Sequence, residues 1–199
     1  MRSFPLSVAG RLALWFPVYF ILNENVCSLE RIVGRSMSPT FCPAPSASSS
    51  SLSPDYVLAK RWNAARNIQR GQVVFFRFSA SLHAFPNRAN EAARSPVDPE
   101  RRVVKRVVGL EGDVVRTRPD SQHQQLVVVP RGQLWVEGDE GFHSLDSNTY
   151  GPIPVALVTA RATHIVFPLA RMGAVSQAEE LVRRGALVRR REQAGLPGL

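Results

Sequence analysis

The sequence has few cysteines, few histidines and no long uninterrupted hydrophobic run. Each of these shortages argues against particular kinds of functional site or protein class. Among 199 residues there are two cysteines and four histidines. Cys27 and Cys42 lie in no CxxC or paired-histidine pattern, so we expect two free thiols and neither a disulfide framework nor a zinc site. No histidine stands in a recognised Ser/His/Asp signature, although the residues do not exclude such a triad.

The charge is strongly positive, with 25 Lys and Arg against 16 Asp and Glu and a net charge of +9. The cations are nearly all arginines, scattered along the chain, with one cluster at 183–191 near the carboxyl terminus. No aromatic residues interleave with them to form the basic stripe of a nucleic-acid-binding surface. We therefore predict no nucleic-acid partner.

The amino-terminal segment contains an apolar run from Leu12 to Leu22, preceded by Arg2 and Arg11. This run is shorter than the roughly 20 residues that cross a bilayer, and extending it back to Leu6 gives a marginal span. A cleaved secretory signal, an organelle presequence and an uncleaved anchor all remain open. We expect an anchor that also carries targeting information and assign residues 1–28 to it.

Two biased stretches, about 43–54 and 79–100, lack a sustained period and are predicted to be flexible insertions. Between and beyond them lie short β-rich runs separated by turn signals, which is typical of a mainly antiparallel β domain, here over 29–168. The runs are Tyr56–Lys60, Gln72–Phe78, Arg102–Val108, Asp113–Thr117, Gln125–Val129, Gln133–Val136 and Thr163–Phe167. The basic tail, 169–199, is predicted to hold a helix from Ala174 to Gln193.

The segment GRSMSPT, Gly34 to Thr40, contains a candidate nucleophile, Ser36. A serine needs a partner base, a fixed rotamer and backbone donors for the oxyanion before it can attack a carbonyl. Gly34 would permit close approach of a substrate backbone, and Pro39 stiffens the chain. An ordinary turn is the plain alternative.

Lys105 is the candidate base. In the run RRVVKRVV, period-two alternation places Lys105 on one strand face between Val103 and Val107. A buried ammonium loses hydration, so the pKa of such a lysine falls toward the range of a general base. A lysine on an edge strand with its head in water is the alternative.

A third segment, Trp135 to Pro152, concentrates short polar residues between glycines, including Ser144, Asp146 and Asn148. Such side chains hydrogen-bond their own backbone and build tight loops. This loop could orient the lysine or simply connect two strands.

In order, the three segments resemble the boxes of the type I signal peptidase family: Ser36–Thr40, Lys105–Asp113 and Gly138–Pro152. The resemblance implies the mainly β peptidase domain of that family, one amino-terminal membrane anchor helix, and peptide hydrolysis through an acyl-enzyme. It implies no metal and no cofactor.

The resemblance also implies a role for each matching residue. Ser36 would be the nucleophile, with its own N–H as an oxyanion donor, and Lys105 would be the general base. Ser144 would support the lysine, while Asp146 and Arg106 would form an ion pair that braces the site.

Three departures from the family pattern affect this interpretation. Gly34 stands where some bacterial members have a hydroxyl residue that contributes to the oxyanion hole. Asn148 replaces an arginine of bacterial relatives. Cys42 and the serine-rich insertion at about 43–54 replace the usual continuation of the first box, Ser36–Thr40, which we call the serine box.

Within the family, the phrases VEGD and SLDSNTYGPIP are most similar to the mitochondrial inner membrane proteases. The resemblance implies an inner-membrane protein whose catalytic domain faces the intermembrane space. It further implies membrane lipid, precursors with bipartite presequences and the homologous catalytic subunit 1 as partners.

Three other functions are compatible with the sequence. A catalytically silent assembly subunit would share the boxes without using them. A self-cleaving repressor would require a DNA-binding module where the apolar run stands. A basic membrane-surface module would bind lipid through charge, which salt would weaken.

Overall fold

The computed structural model describes residues 8–43, 54–77, 102–118, 126–141, 144–176 and 189–190. The strands are β1 Cys27–Ile32, β2 Asp55–Lys60, β3 Val73–Arg77, β4 Arg102–Gly109, β5 Asp113–Arg116, β6 Leu126–Val128, β7 Gln133–Glu137, β8 Ile153–Pro154, β9 Val158–Phe167, β10 Gly173–Ala174 and β11 Arg189–Arg190. Two helices, α1 Val8–Asn25 and α2 Ser147–Tyr150, and two 3₁₀ turns, Val155–Leu157 and Leu169–Arg171, complete the described elements.

The strands form an eight-stranded sheet in the order β1-β2-β9-β3-β4-β7-β8, with β10 beside β9, and a three-stranded sheet in the order β11-β5-β6. All of these pairings are antiparallel. The predicted mainly antiparallel β class is therefore confirmed, and each predicted β-rich run lies on an observed strand. The sequence patterns did not predict β1.

Apolar residues cover both faces of the central strands. Val73 and Phe75 of β3 belong to one hydrophobic cluster, and Val74 and Phe76 belong to a second cluster on the opposite face. The first cluster also contains Met37 of the serine box and the Phe41 that follows it, whereas the second contains Val107 of β4. Since alternate residues of a strand point to opposite faces, β4 lies between two apolar layers.

Helix α1 contains Pro17 and carries exposed aromatic and aliphatic side chains along 15–22. In the described part of the chain, no helix combines the length and mean hydropathy that crossing a bilayer requires. The predicted insertions, 43–54 and 79–100, lie almost wholly outside the described residues.

The predicted helix from Ala174 to Gln193 is wrong where the structure describes that tail. Ala174 pairs with His164 of β9, and Arg189 and Arg190 pair with β5. Capping and basic residues favoured a helix locally, but sheet edges offer hydrogen bonds that a sequence pattern does not reveal. Most of the remaining tail lies outside the described residues.

Candidate active site

The serine box forms a loop anchored by two apolar side chains. Met37 and Phe41, 1% and 0% exposed, both enter the first hydrophobic cluster, and the Phe41 N–H donates to the Met37 carbonyl over 2.8 Å. Burial of these neighbours leaves Ser36 partly exposed at the surface of the loop. Residues 36–40 form a turn, as the plain alternative holds, and the buried Met37 and Phe41 fix this turn in place.

Gly34 has φ of 110°, a conformation that residues with a Cβ rarely adopt. An ideal Cβ at this position would meet no heavy atom within 4 Å. The glycine is therefore required by its backbone angle and not by a neighbouring protein group. The space beside it is open, which is compatible with the predicted approach of a substrate.

Both cysteines are free thiols, as predicted. Cys42 connects the end of the serine-box loop to the sheet. Its Sγ donates to the Ile32 carbonyl over 3.2 Å, and its N–H donates to Asp55 over 2.8 Å. Burial raises the pKa of the Cys42 thiol. Arg171 donates to the Asp55 carboxylate over 2.5 Å and to the Thr40 carbonyl over 2.6 Å, and so connects these two residues. No sequence pattern pointed to Asp55 or Arg171.

Lys105 lies in β4, between β3 and β7, and is 3% exposed. It pairs with the buried Val74 of β3 and shares a strand face with Val107. The alternative of an edge-strand lysine with its head in water is therefore wrong. The structure thus places the candidate base inside the sheet, away from solvent.

Gly138 is the point at which the three boxes meet. An ideal Cβ there would lie 2.1 Å from Ser144 Oγ and 2.5 Å from the Ser36 carbonyl oxygen. The adjoining β4–β7 register pairs Arg106 with Glu137. Lys105 and Gly138 are the residues that adjoin this last pair, Lys105 before Arg106 and Gly138 after Glu137. Only glycine leaves room for this convergence.

Arg106 is 1% exposed and its guanidinium joins several segments. It bonds the carboxylate of Asp139 over 2.7 and 2.8 Å, and it donates to the Thr40 hydroxyl over 3.1 Å and to the Gly71 carbonyl over 2.6 Å. The predicted pairing of Arg106 with Asp146 is wrong. Arg106 pairs across the end of the β4–β7 ladder, where the carboxylate within reach is Asp139.

Asp146 instead holds the turn of the third box. It caps α2 by accepting from the Asn148 N–H over 3.1 Å, it accepts from the Gly138 N–H over 3.0 Å, and it lies 3.5 Å from Arg118 Nη1. Both Asp146 and Arg106 thus brace the loops around Gly138, but through different partners. Sequence reasoning missed Asp139, which lies within the VEGD phrase, and Arg118, which no motif marks.

Ser144 and Tyr150 lie on either side of this turn. Ser144 Oγ is shielded from solvent and has no hydrogen-bond partner among the described residues. The pKa of the buried Tyr150 is raised, first by burial and then by the charge of Asp146. The phenol therefore stays neutral at physiological pH, and Ser144 presents a hydroxyl beside Gly138.

Comparison with known proteins identifies the family. The sequence model described as "Signal peptidase, peptidase S26" matches residues 8–128. Mitochondrial inner membrane protease subunit 2 of Schizosaccharomyces pombe is 40% identical over 164 residues, covering 82% of this chain and 78% of that protein. The Mus musculus protein of the same name is 40% identical over 154 residues, covering 76% of this chain and 74% of that protein.

Relatives of the other subunit match as well. Mitochondrial inner membrane protease subunit 1 of Homo sapiens is 34% identical over 151 residues, covering 74% of this chain and 77% of that protein. The resemblance predicted from the three boxes, including the similarity to the mitochondrial inner membrane proteases, is confirmed. With a family match across more than half of its length, this chain belongs to the signal peptidase family, peptidase S26, a family of serine peptidases.

Proposed function

We propose that this chain is a membrane-anchored endopeptidase that removes sorting peptides from proteins delivered to the mitochondrial intermembrane space, with Ser36 as nucleophile and Lys105 as general base. The observation that carries the proposal is the approach of the Ser36 carbonyl and the Ser144 hydroxyl to Gly138, next to the strand pair Arg106–Glu137 that adjoins the buried Lys105.

The chemistry follows from that arrangement. Lys105, as a neutral amine, takes the proton of the Ser36 hydroxyl while Ser36 Oγ attacks the scissile carbonyl carbon. The Ser36 N–H stabilises the developing oxyanion. Lys105 then returns the proton to the departing amine, which leaves an acyl-enzyme that water hydrolyses. The resemblance assigns Ser144 the support of Lys105, although Ser144 Oγ makes no hydrogen bond to Lys105 or to any other described residue.

The supporting residues hold the loops of the site in position. Arg106 and Asp139 connect the serine box to β4 and β7, and Asp146 fixes the turn that carries Ser144. Gly34 leaves space for a substrate beside the serine box. Because small misplacements of reacting groups slow catalysis strongly, these contacts matter for rate even though none of them reacts.

The location and partners are proposed from the relatives and from α1. The matching proteins are named as subunits 1 and 2 of a mitochondrial inner membrane protease, so we propose that a homologous subunit 1 is the partner. The exposed apolar side chains of α1 suit contact with inner-membrane lipid. The catalytic domain would then face the intermembrane space, where precursors with bipartite presequences arrive.

The test compares Ser36→Ala and Lys105→Ala with matched controls in cells. Ser38→Ala changes a serine of the same box, and Lys60→Ala changes an exposed lysine of β2. We expect uncleaved precursors to accumulate in the first two variants and not in the controls, at equal protein levels and with the partner still associated. Normal processing in both dyad variants would instead support the silent assembly subunit.

A further inference from the structure

Arg118 follows β5 and lies against the two segments that meet at Gly138. Its guanidinium donates to Glu137 over 2.8 and 3.2 Å, donates to the Gly138 carbonyl over 2.9 Å and approaches Asp146 to 3.5 Å. Its backbone N–H also donates to the Asn148 side chain over 2.9 Å. One residue thus contacts the end of β7, the turn before α2 and the first turn of α2.

These contacts control the peptide groups of Gly138. The Gly138 N–H is held by Asp146, the Gly138 carbonyl is held by Arg118, and Arg118 and Asp146 are themselves an ion pair. Gly138 in turn contacts the serine box and Ser144 directly. A rotation of the peptide at Gly138 would therefore change the distance between Ser36 and Ser144.

We propose that Arg118 is a positioning residue for the peptidase reaction, which holds Gly138 so that Ser36, Lys105 and Ser144 keep their spacing. The inference rests on the proposed function and adds a residue that lies outside the three boxes. Arg118 does not react. Its planar fork of donors can bond two carboxylates and a carbonyl at once, which the single ammonium group of a lysine cannot do in the same geometry.

The experiment measures cleavage of a peptide that spans a precursor processing site, using the full-length chain assembled with its partner subunit in detergent micelles. Arg118→Gln and Arg118→Lys are compared with Arg116→Gln, which removes the same charge from an exposed position two residues earlier. For both Arg118 variants we expect kcat to fall about 10- to 100-fold with KM within about twofold. Arg116→Gln is expected to keep the wild-type kcat.

A second arm separates positioning from simple loss of stability. Asn148 Nδ2 lies 3.1 Å from Asp146, so a longer arginine at position 148 would reach the same carboxylate. In an Arg118→Gln background, Asn148→Arg is expected to recover at least about tenfold of the lost kcat. Thermal unfolding of each variant is recorded in the same micelles, and rates are compared well below the lowest midpoint.

The results that would overturn the role of Arg118 differ from those that would overturn the proposed function. If Ser36→Ala is inactive while Arg118→Lys keeps the wild-type kcat, the positioning role is overturned and the dyad stands. A kcat loss that disappears after correction for the folded fraction also overturns it. If Arg118→Gln does not fold, Arg118→Lys decides the matter, since it keeps the charge. Full activity of Ser36→Ala would refute the proposed function instead.

Discussion

Breaking the ion pair between Arg106 and Asp139 should destabilise the fold far more than breaking an exposed pair. Both side chains are 2% exposed, so Asp139→Ala leaves a guanidinium buried beside the serine box without its carboxylate. Removing one partner of a buried pair costs about 3–5 kcal/mol. Arg106 keeps neutral acceptors at Gly71, Ser176 and Thr40, so we expect the lower end, about 3 kcal/mol.

For a chain of this length, about 3 kcal/mol corresponds to a fall in Tm of roughly 6–12 °C. The assay is thermal unfolding of the full-length protein in micelles, followed by near-ultraviolet circular dichroism. The matched control is Glu30→Ala, which breaks the pair with Arg102, whose side chain is 50% exposed. Exposed pairs contribute about 0–1 kcal/mol, so the control should shift Tm by no more than a few degrees.

The double variant completes this test. Arg106→Met combined with Asp139→Ala removes both charges and should recover part of the stability lost in Asp139→Ala alone, because no unpaired charge remains buried. The reasoning is refuted if Asp139→Ala lowers Tm no more than Glu30→Ala does. It is also refuted if Arg106→Met lowers Tm further when added to Asp139→Ala.

Three further predictions concern the loops of the site. Gly138→Ala should reduce peptide cleavage at least about 100-fold, because its methyl group would meet Ser144 Oγ at 2.1 Å and the serine-box backbone must move; wild-type cleavage would contradict the convergence. Met37→Ala should lower the free energy of unfolding by about 2–5 kcal/mol in urea titration, since Met37 is fully buried; a change below about 1 kcal/mol would show a loosely packed loop. Cys42 should react with iodoacetamide at least about tenfold more slowly than the partly exposed Cys27 at pH 8, measured by mass spectrometry. Burial holds the pKa of the Cys42 thiol above the usual 9.0, so the unreactive neutral thiol predominates until the pH rises beyond that value. Equal rates would contradict this burial.

The β class was predictable because its signals are local, and the candidate site residues were nominated from signals of the same local kind. Period-two alternation along β4 placed Lys105 on one strand face between two valines. The burial itself does not alternate, because β4 is buried on both faces from Lys105 to Gly109. The serine box and the box beginning at Gly138 were recognised from short contiguous motifs. Each of these inferences needed only neighbouring residues in the chain.

Features that depend on which segments meet were not predictable. The strand β1 has no clean alternation, and the serine-box loop is held by Asp55 and Arg171, which lie far away in sequence. The tail at Ala174 adds to the edge of β9, although its composition favoured a helix. A free strand edge provides hydrogen bonds to whichever segment reaches it, and local propensity is too weak to resist.

The ion pairs show most clearly which features the sequence predicts and which depend on the folded structure. The sequence alone determined that Arg106 and Asp146 carry charges near the site, because both lie in recognisable boxes. Only the tertiary structure decided that Arg106 pairs with Asp139 and that Arg118, outside every box, lies 3.5 Å from Asp146. A buried charge must be paired, but the partner is the opposite charge that the folded chain brings within a few ångströms, and that distance is set by packing and not by order in the sequence.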